Sequence, residues 1–196
     1  MTSRLAPLPP GQLDEAQAAL YDAIADGRRR QQPHFRLTND DGSLTGPFNA
    51  MLYAPTLGRA LQHMGEVIRF ESSIPPRSRE LAILTVARHW RSDFEWYAHE
   101  PIALEVGLPA EVVEAIRAGS RPPLTDPPEA AVHDVCDALL RREALDDATY
   151  RRVHAALGDT GLVELTVLVG YYTTLAMLLE TFRVGVPEDA APSEGI

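Results

Sequence analysis

The sequence contains no lysine. All 18 basic residues of the 196-residue chain are arginine, against 28 acidic residues, for a formal net charge of −10. Schiff-base chemistry, of the class I aldolase or the pyridoxal-phosphate type, needs a lysine amine and is excluded. A Walker A phosphate loop also ends on lysine and is missing. The negative balance argues against nucleic acid as a partner. Cysteine is nearly absent as well. Cys136 alone leaves no intrachain disulfide, no Cys-x-x-Cys redox pair and no cysteine-rich zinc site. Its helical spacing with Val132, Leu139 and Leu140 marks it as a buried structural thiol. Long apolar runs are scarce too. The first ten residues lack a signal-peptide core. The most apolar stretch, Leu165 to Leu179, is shorter than the roughly 20 residues of a membrane span. A soluble cytoplasmic protein without membrane contact is expected.

What is present is helical periodicity. Leu13, Ala16, Ala19, Leu20 and Ile24 form one apolar stripe, ending near Gly27 and the Arg28-Arg29-Arg30 run, whose charges suit a helix C-terminus. Residues 32–47 read as a loop, opened by Gln32-Pro33 and long enough to suggest a lid or a subunit contact. Further helices are expected at 48–53, at 56–72 with Leu57, Leu61, Met64, Val67 and Ile68 inward, and at 77–90. Ser92-Asp93 can cap the next, over 93–107, which Pro101 should kink or split. A short helix follows Pro109, then the proline-rich connector 121–128, then helices at 129–142, 147–157 and 161–184. No segment alternates with period two, so the fold class is all-α. The last helix is apolar on nearly every face, which requires cover from neighbouring repeats or subunits.

A faint internal repeat supports that arrangement. Arg79-Glu80-Leu81-Ala82-Ile83-Leu84 resembles Val163-Glu164-Leu165-Thr166-Val167-Leu168, and each run leads on to a Gly-x-Pro close. The expected organisation is an N-terminal extension over 1–45, a first repeat over 46–119, a connector over 120–128, a degenerate second repeat over 129–187 and a flexible tail over 188–196.

The polar residues concentrate between Glu80 and Glu100. Glu95 and His99 are four apart on one helix, so their side chains meet on one face, with Ser92 at its start and Trp96 on its border. A carboxylate beside an imidazole orients the ring and tunes it for proton transfer. Glu80, on the preceding antiparallel helix, can reach the same spot. The competing reading is plain: a solvated helical pair at Glu95–His99, and a surface ion pair of Glu80 with Arg77 or Arg79. Two ligands at this spacing, with no His-Glu-x-x-His beside them, make a poor metal site.

The run from Arg77 to Arg88, Arg-x-x-Glu-Leu-Ala-Ile-Leu-Thr-Val-Ala-Arg, followed by Glu95-x-x-x-His99 and the Gly107-Leu108-Pro109 turn, resembles the carboxymuconolactone decarboxylase superfamily, which includes the alkylhydroperoxidase-D proteins. The peroxidase branch carries Cys-x-x-Cys-x-x-x-His after an upstream glutamate. Its cysteine positions fall here on Ser92 and Glu95, its histidine on His99 and its glutamate on Glu80. The resemblance therefore implies proton chemistry by Glu80, Glu95 and His99, rather than thiol peroxidase activity. It implies a two-repeat helical bundle that assembles into trimers or hexamers. The segment around Gly46-Pro47 resembles the stretch before the repeat in two-repeat members, so Phe48, Asn49 and Met51 are candidates for the pocket lining or for the core.

Arg88 and Arg91 are candidates for holding a substrate carboxylate, with Ser92 and Trp96 beside it, because an acidic protein needs local positive charge to bind an anion. Salt bridging on a helix flank is the alternative. The expected function is a cofactor-independent lyase (decarboxylase) or isomerase acting on a small oxo-acid or lactone-like substrate. A peroxidase-like antioxidant protein and a non-catalytic binding or scaffold protein are the alternatives.

Overall fold

The computed structural model describes residues 3–28, 35–187 and 196. Among these every regular element is helical: α1 Glu15–Ala25, α2 Gly46–Leu52, α3 Pro55–Phe70, α4 Pro76–Trp90, α5 Asp93–Glu105, α6 Ala110–Arg117, α7 Pro127–Arg141 and α8 Asp147–Phe182. The only extended pairing among the described residues is an isolated bridge between Thr38 and Leu44. Gly158, at φ 66° and ψ −175°, breaks α8 into two helical parts where the sequence places a boundary. Arg29, Arg30, the Gln32-Pro33 loop opening and most of the expected tail lie outside the described residues.

Helix starts follow their signals. Asp14 accepts from the Gln17 amide while the Gln17 side chain accepts from the Asp14 amide, a capping box that opens α1. Prolines open α2, α3, α4 and α7, where the missing N–H costs nothing. One local expectation needs correction. Ser92 takes the position before α5, but its hydroxyl makes no capping hydrogen bond. Pro101 sits inside α5 without splitting it.

The centre of the bundle is α4. From Glu80 to Ala87 every residue is buried, because α5, α6, α7 and α8 all pack around it. Leu165, Leu168, Val169, Tyr172, Leu175 and Leu179 of α8 pack into the core. By length and composition α8 would suffice to cross a membrane, but its buried face is that of a core helix. Its cover is nevertheless incomplete in the single chain: Val163, Val167 and Met177 are exposed.

Helix α3 reverses part of its expected phase. Leu61 and Ile68 pack inward, but Leu57, Met64 and Val67 face out, with Leu57 62% exposed. The inward stripe is Gly58, Gln62, Gly65, Ile68 and Arg69. Close helix approach decides this. A Cβ at Gly58 would lie 2.4 Å from the Met51 carbonyl oxygen, so α3 presents its small residues to α2 and sends its bulk outward.

Residues 4–8 form an arm across the bundle. Arg4 N–H donates to the Phe182 carbonyl at 2.8 Å. The Asn49 amide takes the Leu8 N–H at 3.0 Å and gives its own N–H to the Ala6 carbonyl at 2.9 Å, which Tyr53 Oη also reaches. Asn49→Ala is therefore expected to lower stability by about 1–2 kcal/mol through two lost hydrogen bonds. Urea denaturation measures it, and proteolysis should cut the loosened arm first.

Candidate active site

Helix α4 brings Glu80, and α5 brings Glu95 and His99, to one point inside the bundle. All three are buried, Glu80 completely. His99 Nδ1 lies 2.7 Å from Glu80 Oε2, and His99 Nε2 lies 3.7 Å from Glu95 Oε2. One imidazole thus stands between two carboxylates. The alternative of a solvated helical pair does not survive this burial. Nor is Glu80 a surface ion pair: Arg77 turns instead to Glu129 at 2.9 Å, and Arg79 holds Glu80 Oε1 at 3.4 Å below the surface.

Burying a bare carboxylate costs several kcal/mol. Desolvation pushes the Glu80 pKa up, but the charge and hydrogen bond of His99 and the charges of Arg69 and Arg79 outweigh it, and the net shift is downward. Glu80 is therefore a carboxylate at neutral pH and accepts the Nδ1 proton of His99. That leaves Nε2 as the working nitrogen, on the side facing Glu95.

Two contributors escape the sequence reading. Tyr172 of α8 sets its ring edge-on to the imidazole, with centroids 5.2 Å apart, and burial pushes its phenol pKa up. Arg69 of α3 is buried and acts on both Glu80 and Tyr172. A signal for Arg69 exists in the spacing Gly58, Gln62, Gly65, Arg69, a small and polar stripe at helical period. Tyr172 has none, since a tyrosine in an apolar helix reads as core.

Phe48, Met51 and Trp96 are buried within the hydrophobic core. Arg117 lies over the Trp96 ring, 4.9 Å from its centroid. Asn49 is committed to the N-terminal arm. Ser92 lies in the wall of a cleft between the start of α5 and the end of α8, its hydroxyl buried without a hydrogen-bond partner among the described residues. Arg88 donates from Nε to the Arg117 carbonyl at 2.8 Å and lines a different cleft, one whose walls include none of Glu80, Glu95 and His99, while Arg91 stands between the two clefts and lines both. Helix phase explains the separation. Eight residues carry Arg88 about 12 Å along α4 from Glu80, so the two heads leave the helix far apart. Cys136 is fully buried, its thiol pushed up to about 12. Among the described residues no cluster of three or more His, Cys, Asp or Glu side chains is arranged to hold a metal ion.

Residues 55–138 match the model of the carboxymuconolactone decarboxylase family. They include α4, α5 and the whole Glu80–Glu95–His99 constellation. Over this segment, less than half of its length, the chain is similar to that family. No curated protein matches the sequence. The fold resembles that of solved structures. An alkylhydroperoxidase AhpD core protein from Ralstonia eutropha, called peroxidase-related, superposes with a TM-score of 0.73 at 11% identity, over 97% of this chain and 98% of that one. A peroxidase-related protein from Silicibacter gives 0.71 at 13% identity, over 96% and 93%. A debrominase crystallised with 2,3,4-tribromopyrrole gives 0.70 at 13% identity, over 96% and 94%. At such identities the likeness is one of fold.

Proposed function

We propose that the protein is a cofactor-independent lyase or isomerase that moves a proton on a small oxo-acid or lactone-like substrate. The observation that carries this reading is the buried imidazole between two carboxylates, with Glu80 fixing Nδ1 and leaving Nε2 for chemistry. A decarboxylase without a bound electron sink needs a substrate that delocalises its own carbanion, as a β-keto or vinylogous acid does. The bond to the carboxylate breaks, its electron pair passes into the neighbouring carbonyl as an enolate, and carbon dioxide leaves. His99 Nε2–H then protonates the carbon, and Glu95 or water returns a proton to the imidazole. Glu80 stabilises the imidazolium and holds its orientation. In an isomerisation the same nitrogen would take the proton from one carbon and return it to another. Arg69 directs further positive charge toward Glu80 in the buried site.

The test is a panel of β-keto and vinylogous acids in deuterated water, read for carbon dioxide release and for deuterium in the product. The reading predicts a product with one solvent-derived hydrogen, formed by wild type and lost in His99→Gln. Absence of both signals across the panel, with folded protein, rejects it.

The names of the fold neighbours raise peroxide reduction as the second reading. It lacks the thiols for it: Ser92 and Glu95 occupy the positions of the cysteine pair, and Cys136 is sealed in the core. Wild type and Cys136→Ser are expected to consume alkyl hydroperoxide equally slowly, at the buffer rate. Robust turnover lost in Cys136→Ser would reverse the ranking.

The proposal extends to assembly, as a soluble cytoplasmic homo-oligomer. The outward apolar residues Leu57, Met64 and Val67 of α3 and Val163, Val167 and Met177 of α8 are the surface that supports it. Ser73, just after α3, joins these elements by donating from its amide and hydroxyl to Glu164 at 2.8 and 2.7 Å. Light scattering is expected to give a trimer or hexamer, and Val167→Arg to shift it toward monomer. A strict monomer at micromolar concentration would contradict it.

A further inference from the structure

The cleft that takes Arg88 away from the triad is a feature in its own right. It lies between the end of α4, the end of α6 and one face of α7, with a volume of about 440 Å³, enough for a small metabolite. Four arginines line it, Arg88, Arg91, Arg121 and Arg141, with Asp137 the one acidic residue in the wall. In a protein of net charge −10 such a concentration of positive charge is against the average of the surface.

The arginines are not equally occupied. Arg141 pairs with Asp137 at 2.9 Å and Arg121 with Asp134 at 2.8 Å. Arg88 has no carboxylate partner among the described residues. Its single bond, from Nε to the Arg117 carbonyl, fixes the guanidinium and leaves its two terminal nitrogens for another acceptor. Gly119 makes room for that head: a Cβ there would lie 2.8 Å from an Arg88 terminal nitrogen. Arg91 has no hydrogen bond or ion pair from its side chain among the described residues, and it stands at the end of α4 in the left-handed conformation, φ 51°. In the same wall His133 is about nine-tenths buried, and its Nδ1 faces Asp134 Oδ1 at 3.9 Å without making a hydrogen bond among the described residues. A half-buried guanidinium without its anion is a cost that a bound acceptor would remove.

We propose that this cleft binds a small multiply charged oxyanion, a phosphate or a polycarboxylate, at a site separate from Glu80, Glu95 and His99. Arg88 and Arg91 present the open forks, and Arg121 and Arg141 close the rim. The planar guanidinium matches both kinds of oxyanion, which is why the chemistry is shared between them.

The experiment is isothermal titration calorimetry of the full chain with inorganic phosphate and with citrate, at matched ionic strength, chloride being the reference anion. Saturable binding of either at millimolar concentration or below is expected. Phosphate alone would mark an organic phosphate as the natural ligand, and citrate alone a polycarboxylate. Arg91→Gly removes one fork where the backbone conformation suits glycine, so the variant folds. It is expected to weaken binding on the order of tenfold, the loss of one charge-assisted contact. Arg183→Gly alters the arginine that ends α8 in the same left-handed conformation, outside this cleft, and should bind as wild type does. Three results would overturn the proposal: no saturable binding of either anion, equal weakening in Arg91→Gly and Arg183→Gly, or weakening by His99→Gln, which would put the anion at the triad.

Discussion

Glu80→Ala is expected to destabilise the protein by about 3–5 kcal/mol, the scale of breaking a buried ion pair from one side. Glu80 is fully buried, and His99, Arg69 and Arg79 all direct positive charge toward it. Removing the carboxylate strands those charges in a medium that cannot solvate them. Glu80→Gln should cost less, because the amide oxygen still accepts the Nδ1 proton of His99. The pH dependence follows from the lowered pKa of Glu80. A carboxylate whose pKa is lower folded than unfolded contributes stability above its unfolded value, roughly 4.3. That contribution is lost as pH falls through the folded value. The stability gap between wild type and Glu80→Gln should therefore be widest near neutrality and should close on acidification. Urea denaturation at neutral and acid pH measures it, and a gap that does not change with pH would refute the role given to the Glu80 charge.

His99→Gln is expected to lower the rate by about 10²–10⁴-fold, the usual loss on removing a general acid or base. Glutamine keeps a polar group near Glu80 and much of the ring's volume, so the fold should hold, which circular dichroism and the thermal midpoint can check. The loss should appear in kcat rather than KM, because the imidazole acts on the transition state. Glu95→Gln should retain more activity and move the pH profile, since Nε2 loses an acidic neighbour 3.7 Å away. A His99→Gln enzyme that turns over like wild type would remove the proton relay altogether and leave the buried triad as a structural network.

Most of the helices were legible because their signals are local. Period and punctuation are read within a few residues, so Pro55, Pro76 and Gly158 mark boundaries that the structure keeps, while α7 starts at Pro127, two residues inside the expected connector. The Glu95–His99 pairing was legible for the same reason, since four residues on a helix fix two side chains on one face. Glu80 required more. Its place on the preceding helix allowed contact, and the family motif pointed to it, but spacing could not distinguish a buried carboxylate from a surface ion pair.

The sequence by itself determined the helices, the pair on α5, the want of lysine and of a second thiol, and with them the kinds of chemistry that are closed to this protein. The tertiary structure decided which faces turn inward. Leu57 lost the core to Gly58 because the α2 backbone approaches α3 there too closely for a side chain, and Met64 and Val67 turn outward on the same helix. Arg69 and Tyr172 reached His99 from helices distant in the chain, and Arg88 was carried away from it by the turn of α4. The physical reason is range. Backbone periodicity is set by neighbours a few residues apart, whereas burial and charge pairing depend on helices far apart in sequence, and only their packing settles which polar side chains share a dry interior.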